Sequence, residues 1–190
     1  MILPIVAYGD PVLRRVGDDI DASYPNLKQF IADMFETMYQ AKGIGLAAPQ
    51  VGKSIRLFIV DGAPFGEDPE TEEEEMLGSF RKIFINARIL DEEGQEWKYN
   101  EGCLSIPKIR EDVLRKPTIR VRWQDENFAE HEETFSGIAA RIIQHEYDHI
   151  EGKLFTDRIS PMRRQLLKNK LNDISRGRVS ADYKMKFPSK

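Results

Sequence analysis

The sequence predicts an α+β fold: a single domain over residues 1–190, with mostly antiparallel strands around a central helix that carries two histidines, and a further helix near the C-terminus. Three observations predict it. Three segments repeat apolar residues at helical spacing. Short apolar or alternating runs of strand length fill the interval between the first two of them, a grouping typical of α+β domains rather than of βαβ units. Finally, 190 residues without an internal repeat or a linker suit one hydrophobic core.

Residues 1–22 read as an irregular or extended arm, because Pro4, Gly9 and Pro11 interrupt any helix. A first helix is expected from Pro25 to Ala41, capped by Ser23, with Leu27, Phe30, Ile31, Met34, Phe35 and Met38 in one stripe. Gly43 to Gly52 is a glycine-bearing loop, and Ile55–Val60 a buried strand. Residues 61–78, with Glu72-Glu73-Glu74-Glu75, read as a solvated acidic excursion. Strands follow at Lys82–Asn86, Ala87–Leu90, Thr118–Trp123 and Glu130–Phe135, the third alternating Ile119, Val121 and Trp123 with Arg120 and Arg122. Ser136 is expected to cap a helix over 137–150, which Gly152 ends. A last helix begins at Ser160-Pro161, with Leu166, Leu167, Leu171 and Ile174 facing inward.

Composition narrows the class. No apolar run approaches the roughly 20 residues of a membrane span, so no membrane role is expected. The N-terminus Met1-Ile2-Leu3-Pro4 has the features of neither a signal nor a transit peptide. One cysteine permits no intrachain disulfide and suits a reducing compartment. The net charge of −4 is uneven: Pro161 to Lys190 holds nine Lys/Arg and two Asp, a net +7, so the remainder carries −11. The stretch from about 177 to 190 is read as a flexible basic tail.

The helix over 137–150 carries His145-Glu146-Tyr147-Asp148-His149. Histidines four residues apart lie about 40° apart around a helix and roughly 6 Å apart along it, so both imidazoles can reach one metal ion. Glu146 then stands where a carboxylate can take a proton from water on that metal. This H-E-x-x-H pattern marks metal-dependent amide hydrolysis, and it needs a third ligand. The downstream position at which an extended peptidase motif has its next histidine is Phe155, which cannot bind a metal. Upstream, Cys103 within Glu101-Gly102-Cys103-Leu104-Ser105 is a plausible thiolate ligand, and one Cys with two His leaves a fourth position open, as catalysis requires.

Three separated blocks now resemble the peptide deformylase family: Gly43-Ile44-Gly45-Leu46-Ala47-Ala48-Pro49-Gln50, Glu101-Gly102-Cys103-Leu104-Ser105, and Gln144-His145-Glu146-Tyr147-Asp148-His149. The resemblance implies removal of the formyl group from the N-terminal formyl-methionine of new polypeptides, with release of formate. It implies that Cys103, His145 and His149 hold one divalent metal ion, Fe²⁺ in the cell, with Zn²⁺, Ni²⁺ or Co²⁺ in purified protein. Glu146 would be general base and then acid, and Gln50 with the Leu104 amide would stabilise the oxyanion. Gly43 and Gly45 would admit the substrate backbone, Ile44, Ile142 and Tyr99 would line the methionine pocket, and Arg110 would steady the peptide beyond it. Arg115 is expected to pair with Asp148, and Glu101 to accept a hydrogen bond from a ligand histidine. A cytoplasmic, bacterial-type monomer follows, whose partners are nascent chains and, through Arg163, Arg164, Lys168, Lys170, Arg176 and Arg178, the ribosome.

Two other readings compete. A zinc endopeptidase would need a downstream ligand in place of Phe155. A metal-stabilised binding module would be closed by four protein ligands and would have no use for Glu146.

Overall fold

Alternation along one short strand explains most of the architecture. In Leu57–Asp61, Phe58 and Val60 point to one side and Leu57 and Ile59 to the other, and all are fully buried. A strand apolar on both faces belongs at the centre of a layered structure, with something packed on each side. The computed structural model, which describes residues 1–188, has that arrangement.

In chain order the elements are β1 (Ile5–Val6), α1 (Leu27–Gln40), β2 (Gly45–Ala47), β3 (Leu57–Asp61), α2 (Glu72–Leu77), β4 (Arg81–Glu93), β5 (Trp97–Cys103), β6 (Ile106–Arg115), β7 (Thr118–Gln124), β8 (Glu130–Ser136), α3 (Gly137–Ile150), α4 (Pro161–Ser175) and β9 (Met185–Lys186). Strands β2-β3-β4-β7-β8 form one sheet, antiparallel throughout. Phe58, Phe84, Val121, Trp123 and Phe135 from one face pack with Ala140, Ile142 and Ile143 of α3. From the other face, Leu57, Ile59 and Ile85 pack with Ile31, Met34, Phe35 and Met38 of α1. The hairpin β5-β6 stands apart as its own two-stranded sheet, and α4 packs against β6 through Leu167, Leu171 and Ile174. No helix of the described residues is long and apolar enough to cross a membrane.

The expected α+β architecture is present, with corrections in its parts. Helix α1 starts at Leu27 after a left-handed Asn26, because Ser23 bonds to Asp21 in a turn of its own. The strands expected at Lys82–Asn86 and Ala87–Leu90 are one strand, β4, kinked by bulges on either side of Arg88 and Ile89. Part of the acidic excursion is helical: Thr71 accepts the Glu74 N–H at 3.2 Å, and four glutamates occupy the first turn, where the helix dipole favours negative charge. Glu73 then reaches α3, accepting the Ile138 N–H at 2.6 Å, while Ser136 turns to Thr118 instead of capping. Gly152 ends the helix region with φ +71, and a Cβ there would meet the Arg14 carbonyl carbon at 2.9 Å.

Strands β5 and β6 had no clear apolar signature. Along β6 the inward residues are Ile109, Glu111, Val113 and Arg115, so charged side chains break the hydrophobic alternation. Leu166 of α4 is 64% exposed rather than inward, since Leu167, Leu171 and Ile174 already make the buried stripe. The tail expected to be free from residue 177 lies against the body: Met185 and Lys186 pair in parallel with Ile5 and Val6, and Val179 and Phe187 pack with the α4 cluster. Residues 189 and 190 of that segment lie outside the described residues.

Candidate metal centre

An amphipathic helix must bury one stripe, and in α3 that stripe carries chemistry. Glu146, Asp148 and His149 are buried together with Ile142, Ile143 and Ile150, so each polar group needs an internal partner. The hairpin turn Leu104–Ser105, between β5 and β6, brings Cys103 over this face. Cys103 Sγ lies 3.4 Å from His149 Nε2, and one ligand atom from each of Cys103, His145 and His149 lies within 4.8 Å of the others.

These residues fit one cation. Donors at about 2.0–2.3 Å from a tetrahedral ion are about 3.5 Å apart, close to the sulfur–nitrogen separation here. The His145 Nδ1–H donates to Glu101 Oε1 at 2.8 Å, and the acceptor-only carboxylate fixes the tautomer, leaving Nε2 free as a ligand. Burial pushes His149 down to about 3, helped by the charge of His145, so its imidazole stays neutral as a metal ligand must. For His145 burial works the same way, but hydrogen bonds to Cys103 and Glu101 outweigh it and raise its pKa well above the usual value, so a cation bound there must displace the Nε2 proton. His149 Nδ1 has no partner among the described residues.

Glu146 is the least satisfied group. Its Oε2 is buried without a hydrogen-bond partner among the described residues, and desolvation, opposed by the charge of His145, pushes its carboxyl up to about 7. The carboxylate lies against Gly45 of β2: a Cβ at that position would come within 2.8 Å of Glu146 Cγ and Cδ. Only glycine lets the strand and the carboxylate approach this closely. Beside them, Gln50 is held by its Oε1, which accepts the Ala47 N–H at 2.9 Å. Its Nε2 therefore points toward Cys103 Sγ at 3.4 Å and Ser105 Oγ at 3.3 Å.

A buried ionic network fixes the frame. Glu101 of β5 accepts from Arg115 Nε and Nη2 at 2.8 and 2.9 Å, from Arg141 Nη1 at 2.9 Å, and from His145. Arg115 also donates to Asp148 at 2.8 Å, and Arg158 holds Asp148 bidentately at 2.6 and 2.7 Å. Burial works against charge on both Glu101 and Asp148, but His145 and Arg115 hold the Glu101 carboxyl well below the usual range, and Arg158 and Arg115 lower that of Asp148.

A cleft of about 610 Å³ opens over the centre. Gly43, Ile44, Gly45, Gln50, Tyr99, Cys103, Leu104, Arg110, Ile142, His145 and Glu146 all line it, while His149 lies beneath its floor. Arg110 is tied back to Asn100, donating to its Oδ1 at 2.7 Å and its carbonyl at 3.0 Å. Phe155 is buried with its ring stacked on His145 at 6.0 Å, so it packs that imidazole rather than offering a donor of its own. The sequence blocks include Ser105 without a role for it, and sequence reasoning missed Arg141, Arg158 and the wall Ser180–Tyr183. Their only sequence signal is Arg141, a charge placed in an apolar helix stripe.

A family model described as polypeptide deformylase matches residues 2–165. Peptide deformylases of Christiangramia forsetii and Flavobacterium johnsoniae are each 56% identical to this chain; the first alignment covers 100% of this chain and 97% of the relative, the second 98% and 96%. Among solved structures, a peptide deformylase from Legionella pneumophila has a TM-score of 0.78 at 35% identity, covering 94% of this chain and 98% of its own. One from Plasmodium falciparum has a TM-score of 0.79 at 36% identity, covering 91% and 95%.

The network generates a stability prediction. Glu101→Gln removes a negative charge facing two buried arginines and should destabilise the fold by about 3–5 kcal/mol. Because the Glu101 and Asp148 pKa values are depressed in the folded state, their contribution is fully present above their ordinary values of 4.5 and 3.8 and declines progressively as pH falls from there through the depressed folded-state values. Urea unfolding at pH 7 and pH 3.5 checks both points. A variant as stable as the wild type at pH 7 would remove Glu101 from its central place.

Proposed function

The chain belongs to the polypeptide deformylase family, whose members remove N-terminal formyl groups from nascent polypeptides, and we propose how its own residues carry out that hydrolysis. The reading is supported above all by the convergence of Cys103, His145 and His149 beside a buried carboxylate, one oxygen of which has no partner among the described residues. A divalent cation bound by these three residues supplies Lewis acidity toward the formyl oxygen and makes water a competent nucleophile near neutral pH.

Glu146 accepts a proton from the attacking water as its oxygen bonds to the formyl carbon. The same carboxyl then gives that proton to the departing amine as the C–N bond breaks, leaving formate and a free N-terminus. A pKa near neutrality suits a group that must do both. Gln50 Nε2 and the Leu104 amide stabilise the oxyanion; losing one such donor typically costs about 10²–10³ in turnover. The Ala47–Gln50 bond orients the Gln50 amide in advance, so no reorganisation is needed during the reaction. Methionine enters the apolar part of the cleft between Ile44, Ile142 and Tyr99, past Gly43 and Gly45, and Arg110 steadies the peptide beyond it.

The finer assignments are part of the same proposal. We assign Fe²⁺ as the cellular metal, with Zn²⁺, Ni²⁺ or Co²⁺ accepted by the same thiolate and two imidazoles. The enzyme acts as a cytoplasmic monomer over one domain. It meets the ribosome through α4 and the turn after it, where Arg163, Arg164, Lys168, Lys170, Arg176 and Arg178 are all exposed.

Three outcomes are expected. Glu146→Ala, loaded anaerobically, keeps its metal but loses at least about 10²-fold in formate release from formyl-Met-Ala-Ser; wild-type turnover would end its role as base. Cys103→Ala emerges from anaerobic purification without stoichiometric metal by elemental analysis, and full occupancy would remove Cys103 from the ligand set. Lys168→Glu with Lys170→Glu weakens co-sedimentation with ribosomes, and the wild-type interaction weakens with added salt. Binding indifferent to both changes would discard the ribosome contact.

A further inference from the structure

The turn Leu104–Ser105 is only two residues long, with Cys103 paired to Ile106 across it. Its central peptide, whose carbonyl is that of Leu104, is the unit whose rotation interconverts alternative β-turn types. Such a flip changes ψ of Leu104 and φ of Ser105, so a partner on the Leu104 carbonyl fixes the conformation of the turn directly after the Leu104 N–H and Cys103. Peptide groups at the tip of a hairpin lie outside the strand ladder and need partners from elsewhere.

Three distant segments meet this turn. The Tyr8 N–H donates to the Ser105 carbonyl at 2.8 Å. Gln50 Nε2 reaches Ser105 Oγ at 3.3 Å. The Tyr183 hydroxyl donates to the Leu104 carbonyl at 2.7 Å. Tyr183 is itself well anchored: β9 pairs with β1 immediately after it, and Lys108 Nζ donates to Ser180 Oγ at 2.7 Å shortly before it. Ser180 to Tyr183 also form a wall of the cleft. This segment lies beyond residue 165, where the match to the family model ends.

We propose that Tyr183 is a positioning residue of this enzyme: its hydroxyl, through the Leu104 carbonyl, locks the turn in the orientation that presents Cys103 to the two histidines and the Leu104 amide to the oxyanion. The inference rests on the deformylase reading of the cleft. It makes the C-terminal segment part of the catalytic centre, joined there by the same pairing that brings the two ends of the chain together.

Tyr183→Phe keeps the ring and removes only the hydroxyl, whereas Tyr183→Leu removes the ring's packing as well. With metal-loaded enzyme and formyl-Met-Ala-Ser, the Phe variant should lose about threefold to tenfold in kcat, the equivalent of one neutral hydrogen bond, with KM changed by less than about twofold. Hydrogen exchange of the 104–106 amides in the same metal-loaded protein should quicken, while the thermal midpoint stays near that of the wild type. A Phe variant that turns over at the wild-type rate, with loss confined to Tyr183→Leu, reduces Tyr183 to packing and overturns the inference. Absence of formate release from the wild type is a different result, and it would overturn the reading of the cleft itself.

Discussion

A carboxylate taken out of water must be met by charge and hydrogen-bond donors, and Glu101 is met by four donors from three residues. These donors come from β6 and from two turns of α3, so one buried anion ties the separate hairpin to the helix that carries both histidines. Asp148 repeats the device lower on the helix, where Arg115 and Arg158 converge. Desolvating so many ions is expensive, and a network of this kind is weak evidence of stability on its own. What it supplies is direction. Arg115 bridges both carboxylates, so neither the helix nor the hairpin can slide without stranding a buried charge.

That frame explains why groups of the cleft can be left less satisfied than their neighbours. Glu146 has an oxygen with no partner among the described residues and a raised pKa, a desolvated position that the surroundings hold in place. Gly45 contributes by what it lacks, since its missing side chain is the space the carboxylate occupies. The same loop then provides Gln50, whose amide is oriented by the backbone of Ala47. Loop, hairpin and helix each bring one part of the chemistry, and each part is aimed by a contact outside the cleft.

Much of this was legible in the chain. The stripe of α1, the alternation of β7 and the histidine spacing of α3 are local patterns, and local patterns survive without knowledge of the fold. The three blocks around Gly43–Gln50, Glu101–Ser105 and Gln144–His149 named the groups that the structure assembles in one cleft. Strands β5 and β6 were hidden because Glu101, Glu111 and Arg115 face inward, and a buried ion pair looks in sequence like two exposed charges. The cap on α3 was misplaced for a related reason: Glu73 stands 65 positions before its partner Ile138, too far for any local rule to find.

The chemistry is written in the order of residues along the chain: which side chains can bind a metal, which can move a proton, and where on a helix they lie. Those properties belong to residue types and short spacings. The environment came with the closed fold, which brings Cys103 to 3.4 Å from His149, presses Glu146 against Gly45, and carries the supposed tail back so that Tyr183 meets Leu104. Burial and long-range hydrogen bonds are properties of pairs distant in the chain, and they exist only once the core has closed around them.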